Sequence, residues 1–183
     1  MRRVLAILII IIISLTACSG GTAVDRLAYQ DRRLYIEAMF TLYEESFPIK
    51  LTLEAPEYDD TGRMLARDAR LIIDENSIIS GVGFEVSGGA VYVSSGELKI
   101  PINDEKMISG ITDIISLFCI SDVCYYSSEK VMIEKLECEH AVYIDGNNRV
   151  EVLIDLTCAL PKNITAVIDN RRIAADISMI KAE

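Results

Sequence analysis

Five cysteines and a single histidine carry most of the reactive chemistry in this 183-residue chain. Cys119, Cys124, Cys138 and Cys158 lie in the C-terminal half, and Cys18 stands apart near the start. Thiols serve as metal ligands, redox pairs, nucleophiles or disulfide partners, and their spacing separates those uses. Cys119 and Cys124 have four residues between them, so the tight Cys-x-x-Cys knuckle of zinc sites and thiol oxidoreductases is missing. With His140 the sole imidazole, any Ser-His or Cys-His pair would have to use it. The sequence has no Gly-rich phosphate loop, no nucleophile elbow and no carboxylate pair of definable position. The inventory argues against an enzyme, a metal centre and a bound cofactor.

Cys18 sits in a different context. The chain opens MRRVLAILIIIIISLTACSGGT, with Arg2 and Arg3 followed by an apolar run from Val4 to Leu15 that only Ser14 interrupts. The run of 12 residues suits the core of a secretory signal and is shorter than the roughly 20 residues of a spanning helix. Leu15-Thr16-Ala17-Cys18 resembles the bacterial lipobox, whose cysteine receives a diacylglyceryl thioether and becomes the first mature residue. That resemblance implies cleavage of residues 1–17, lipidation at Cys18 and a short tether over residues 18–22. Two or more acyl chains hold a protein stably at a membrane, whereas one chain is marginal. Ser19 after the lipidated cysteine implies the outer membrane in a diderm cell and the outer face of the plasma membrane otherwise.

Removing residues 1–17 leaves 166 residues with 16 basic and 28 acidic groups, a net charge of −12. An acidic surface does not replace phosphate counterions, so nucleic acid is excluded as a sequence-independent partner. No polybasic stretch draws the domain onto an anionic bilayer, and the lipid is expected to anchor a domain that stands off. Hydrophobic residues make up 51% of the chain, too many for a disordered polymer. No repeat or linker divides residues 23–183, which read as a single domain.

The elements that must position these residues follow from periodicity. Thr22 can cap a helix through about Arg33, with Asp25 in its first turn. Ile36, Ala38, Phe40 and Leu42 then alternate with polar or exposed types. After the breaker Glu44-Glu45-Ser46, Ile49, Leu51 and Leu53 do the same, which predicts a half-buried hairpin. A helix continuing through Tyr43 is the competing reading, because Leu34, Ala38 and Leu42 recur at spacing four. The turn Pro56 to Gly62 precedes strands at Ala69–Ile73 and Val82–Val86, separated by Asp74-Glu75-Asn76-Ser77. Gly88-Gly89 then turns the chain into Val91, Val93, Gly96 and the run 98–102.

Asn103 is the expected cap of a helix with Asp104 and Glu105 in its first turn. Its apolar stripe is Met107, Ile108, Ile111, Ile114, Ile115 and Phe118. Four strands are expected after it. Leu136, Cys138, Val142 and Ile144 share one face, and Val150, Val152, Ile154, Leu156 and Cys158 share another, around the turn Asp145-Gly146-Asn147-Asn148. For both apolar faces to coincide, that loop must hold three or five residues. A closing hairpin runs from Ile164 to Ile180 around Asp169-Asn170, after a break at Pro161. The fold class is α+β, a curved antiparallel sheet with an N-terminal helix and a second helix on one face.

In an exported domain four cysteines suggest two disulfides, with three possible connectivities. The inferred register displaces Cys138 from Cys158, while a bridge needs β-carbons about 3.5–4.5 Å apart. Cys119 and Cys124 are therefore expected each to reach a sheet cysteine; the alternative is four small core residues without bridges. His140 falls on the inward parity of its strand, as a ligand or as a core imidazole satisfied by a backbone or tyrosine partner. The acidic turn Glu57-Tyr58-Asp59-Asp60 reads as solvated, lacking the ligand alternation of a calcium loop. Arg67, Asp68 and Arg70 read as exposed.

The segment ENSIISGVGFEVSGGAVYVSSGELKIPINDEKMISGITDIISLF resembles the middle of the lipoprotein-localisation factor superfamily, the LolA/LolB-like half-barrels. The terminal RVEVLIDLTCALPKNITAVIDNRRIAADISMI is similar to its closing strands. The resemblance implies a half-barrel whose apolar concave face holds a lipid or other apolar molecule without chemistry. The expected lining is Phe40, Leu51 and Phe84 of the sheet, with Leu42, and Met107, Ile111, Ile115 and Phe118 of the helix. The rival expectation is an anchored adaptor with a filled core that meets a partner protein of the envelope through its surface. An enclosed apolar pocket of a few hundred Å³ separates the first from the second.

Overall fold

The computed structural model describes residues 26–42, 45–60, 67–73, 83–95 and 98–183. Cys18 with the signal segment and tether lies outside the described residues. So do Thr22 and Asp25 of the expected first helix, Tyr43, Glu44, Gly62, the turn 74–77, Val82 and Gly96.

Alternating apolar residues build eleven strands. They are β1 (Leu34–Leu42), β2 (Glu45–Leu53), β3 (Ala69–Ile73), β4 (Gly83–Ser87), β5 (Ala90–Ser95) and β6 (Leu98–Pro101), then β7 (Tyr125–Ile133), β8 (Leu136–Asp145), β9 (Asn148–Asp155), β10 (Leu160–Ile168) and β11 (Arg171–Ala182). They form one curved, open sheet in the order β6-β5-β4-β3-β2-β1-β11-β10-β9-β8-β7, antiparallel throughout. The first and last strands pair at its centre, with Leu34 opposite Ala182 and Phe40 opposite Ala175. Two runs of hairpins lead outward from that seam. The two edge strands are consecutive in sequence, and the chain between them contains α1 (Glu105–Ser116).

One face of this sheet is apolar. Leu34, Ile36 and Phe40 of β1, Ile49, Leu51 and Leu53 of β2, and Val152, Ile154, Ile164 and Ile173 of the later strands are buried in one cluster. Ile111, Ile114 and Ile115 of α1 join it, so the helix lies on the concave face as expected. The strands turn in two residues wherever backbone chemistry allows. Gly88-Gly89 and Asp169-Asn170 both adopt positive φ, which matches the twist of the flanking strands. Glu134-Lys135 does the same without a glycine, at φ 48° and 76°.

Four expectations need correction. Residues 26–33 are not an α-helix: after a turn, Ala28–Asp31 form a single turn of 3-10 helix, and Arg32 is already extended. The cap of α1 is Asp104, whose carboxylate accepts from the Met107 amide at 2.8 Å. Five strands, not four, follow α1, because Tyr125–Ile133 pairs with β8 as an edge strand. Gly146-Asn147 makes a two-residue turn with Asp145 opposite Asn148. Opposed residues on β8 and β9 therefore have unlike parity, with Tyr143 facing Val150 and Ala141 facing Val152. Ala141 and Tyr143 enter the core, and Cys138, His140, Val142 and Ile144 take the convex face. All four were expected on the inward face.

Candidate functional site

The concave face is the natural place for a ligand, and the sequence-derived lining can be located on it. Phe40, Leu51 and Phe118 expose 0% of their surface, so no water-sized space adjoins them, open or enclosed. Phe84, Ile111 and Ile115 are buried in the same cluster, and Leu42 is half-buried against it. Met107 does not join them; 46% of it is exposed near the start of α1. The structure thus brings six of the eight residues together in one buried cluster.

Polar contacts hold α1 in that position. Arg171, at the start of β11, places Nη1 2.8 Å from the Asp113 carboxylate and 3.2 Å from the Ser109 hydroxyl. Burial pushes the Asp113 carboxyl above its ordinary range, and Arg171 opposes that shift. Beyond the helix, the Ile120 amide donates to Oε1 of Gln30 at 2.8 Å. The segment before β1 is thereby tied to the chain leaving α1.

The same region buries polar groups that the sequence reading placed at the surface or passed over. Arg67 was expected to be exposed, yet only 4% of it is. Its Nε donates to the Glu54 carbonyl at 2.8 Å and its Nη2 to the Arg32 carbonyl at 2.7 Å. It therefore staples the end of β2 to the segment before β1. Arg67 Nη1 and Gln30 Nε2 are buried without a hydrogen-bond partner of good geometry. Burial raises both the Tyr29 hydroxyl and the Cys119 thiol, and Arg67 draws each back down. Tyr58 of the acidic turn donates to Asp31 at 2.6 Å, so that turn clasps the same segment.

The cysteines fall in two separate neighbourhoods. Cys119 and Cys124 line one cleft of about 200 Å³ with Tyr143, Val150 and Ile168. Cys138 lies on the convex face opposite Asp155, where burial raises its thiol and nearby Asp155 and Cys158 add to the rise. All four are free thiols. The expected bridges from Cys119 and Cys124 to Cys138 and Cys158 are not formed, and the reversed parity of β8 puts the sheet between the first pair and Cys138. His140 is likewise a convex-face residue, 3.0 Å from Glu151 and 3.6 Å from Glu129. Its neighbours are carboxylates rather than the backbone or tyrosine partner expected. No group of three or more His, Cys, Asp or Glu suited to a metal ion occurs among the described residues.

The open edges carry exposed apolar side chains. Leu98 and Ile100 project from β6 on the concave side, where Ile100 faces Val93. At the other edge Tyr125, Tyr126, Met132 and Ile133 of β7 are exposed, with Val123 just before it. Arg26 sits at this edge, its Nε 2.7 Å from the Glu139 carboxylate and its guanidinium 5.0 Å from the centre of the Tyr125 ring. Glu139 and Tyr143 were missed in the sequence because the parity of β8 was read the other way.

No family model matches the sequence, and no curated protein matches it. Among solved structures, a DUF1329 family protein from Desulfovibrio piger is similar over 87% of this chain and 91% of its own, with a TM-score of 0.45 and 10% identity. LprF from Mycobacterium bovis is similar over 86% of this chain and 90% of its own, with a TM-score of 0.42 and 10% identity. A LolA superfamily protein from Nitrosomonas europaea is similar over 90% of this chain and 94% of its own, with a TM-score of 0.38 and 10% identity.

Proposed function

We propose that the protein is a non-catalytic binding module of the bacterial envelope, anchored by a lipid on Cys18, that engages a partner protein through its surface over a filled core. One observation carries the choice between the two expectations: the zero exposure of Phe40, Leu51 and Phe118 in the core. A carrier with an open cavity would show accessible side chains there. The exposed apolar edges and the acidic surface are the features a partner would meet.

The second reading, a carrier of a lipid or other apolar ligand, keeps a specific support. Leu98 and Ile100 expose apolar surface on the concave side at an unpaired edge. An acyl chain could enter there if α1 lifted, which requires breaking the Arg171–Asp113 pair and the Gln30–Ile120 hydrogen bond. The test is native mass spectrometry of the chain exported behind a conventionally cleaved signal so that it begins at Ser19. A soluble, empty protein that takes up no added phospholipid or fatty acid supports the adaptor. A copurifying lipid of defined mass overturns it in favour of the carrier, and retention of this chain on membranes overturns the role of Cys18.

A further inference from the structure

Arg26 is held by three contacts at the start of β7. Its guanidinium stacks over Tyr125, bonds Ser128 Oγ at 3.3 Å and pairs with Glu139. The chain at Arg26 therefore lies at the start of β7. That corner also holds the two most exposed large apolar residues among those described: Val123 is 94% exposed and Tyr126 70%. Tyr125 beside them is exposed on one side and held on the other by an edge-on contact with Tyr143, at 5.9 Å between ring centres.

Seven residues lie between Cys18 and Arg26, so the eight Cα–Cα steps span at most roughly 27 Å when fully extended. A lipid on Cys18 keeps this corner, more than any remote part of the domain, within reach of the bilayer. The residue types suit that location. Tyrosine has an apolar ring and a polar tip and is enriched at membrane–water interfaces. A net charge of −12 after residue 17 leaves no electrostatic attraction to anionic lipid, so apolar contact is the force available.

We propose that Val123, Tyr125 and Tyr126 rest in the headgroup layer of the membrane that anchors Cys18, with Arg26 at its aqueous boundary. The domain then has a fixed orientation on the bilayer and does not swing freely at the end of its tether. This rests on the anchored reading above, and the occupant is the phospholipid surface itself.

The chain contains no tryptophan, so one introduced residue gives a unique reporter. The experiment places the full lipidated protein, carrying Val123→Trp or Met39→Trp, in vesicles of phosphatidylethanolamine and phosphatidylglycerol with and without brominated acyl chains. Met39 is exposed on the convex face of β1, at the centre of the sheet. V123W emission is expected to shift to the blue, lose intensity with brominated lipid and resist aqueous acrylamide, while M39W does none of these. Adding Tyr126→Glu to V123W should restore acrylamide access. If V123W and M39W behave alike in a protein whose mass shows the diacylglyceryl group, the docking proposal is overturned and the anchor stands. A chain that lacks that mass and leaves the vesicles overturns both.

Discussion

Arg171 and Asp113 meet at 2.8 Å, and through them the turn between the last two strands grips the only α-helix among the described residues. The contact matters because α1 crosses the opening between two unpaired edges and has no backbone ladder to hold it there. Both side chains are largely withdrawn from solvent, so removing one leaves the other short of its partner. Arg171→Met is expected to cost about 1–3 kcal/mol of stability. Urea unfolding should show a lower midpoint with an unchanged slope. Adding Asp113→Asn to that variant should cost little more, because the pair has already been broken.

Two carboxylates give the protein opposite pH responses. Burial raises Asp113, so its folded form holds a proton more tightly than the unfolded chain does. The stability associated with Asp113 is present below the ordinary aspartate value, about 3.9, and falls as pH rises through the raised folded value. Asp155 is held below the ordinary range, chiefly by the Thr157 hydroxyl at 2.6 Å and amide at 2.8 Å. Its contribution is present above about pH 3.9 and is lost as pH falls through the lowered folded value. Unfolding free energies at pH 3 and pH 7 should therefore show Asp113→Asn gaining on the native protein as pH rises. Asp155→Asn should lose ground over the same interval.

Glycine substitutions should split by backbone conformation. Gly146 has φ +59°, a conformation that costs an L-residue about 1–2 kcal/mol. Gly110 lies inside α1 with ordinary helical φ and open space around the position of a β-carbon. Gly146→Ala should lower the thermal midpoint and Gly110→Ala should raise it, the latter by about 0.5–1 kcal/mol in stability.

Truncation on α1 and just beyond it tests whether the interior is packed. Phe118 lies at zero exposure, and Phe118→Ala is expected to cost about 3–5 kcal/mol. Met107 is exposed, and Met107→Ala should stay within about 0.5 kcal/mol of the native protein. Equal and small effects at both positions would count against a filled core.

Much of the sheet was legible because period-two alternation is a local property. Phe40, Leu51, Phe84 and the stripe of α1 apart from Met107 are where their spacing put them. Edge strand β7 was missed: an edge buries little, so its alternation of Tyr125, Ser127, Glu129, Val131 and Ile133 mixes polar and apolar types. Its turn, Glu134-Lys135, lacks the Gly, Asn or Asp residues that mark the turns Gly88-Gly89, Gly146-Asn147 and Asp169-Asn170. The parity of β8 was misread for a related reason. Its even positions are the more apolar on paper, yet Ala141 and Tyr143 face the core because a two-residue turn sets their register. A slip of one residue moves every side chain to the other face, and with it went His140 and Cys138. Arg67 could not be placed from sequence, since its partners are the carbonyls of Arg32 and Glu54 and every residue has a carbonyl.

By itself the sequence determined the alternating strands and one amphipathic helix, and it overstated the helical share, because the expected N-terminal helix is a single 3-10 turn. Those properties follow from composition and short-range periodicity, which need no knowledge of distant contacts. Tertiary structure decided what lies between helix and sheet, which thiols are neighbours and where the N-terminal segment enters. Each of these depends on register and on contacts across long stretches of chain, such as Arg26 with Glu139 and Asp113 with Arg171. An apolar side chain has the same identity whether it lines a cavity or fills one. Only the burial of Phe40, Leu51 and Phe118 in one cluster with Ile111, Ile114 and Ile115 of α1 bears on which it does.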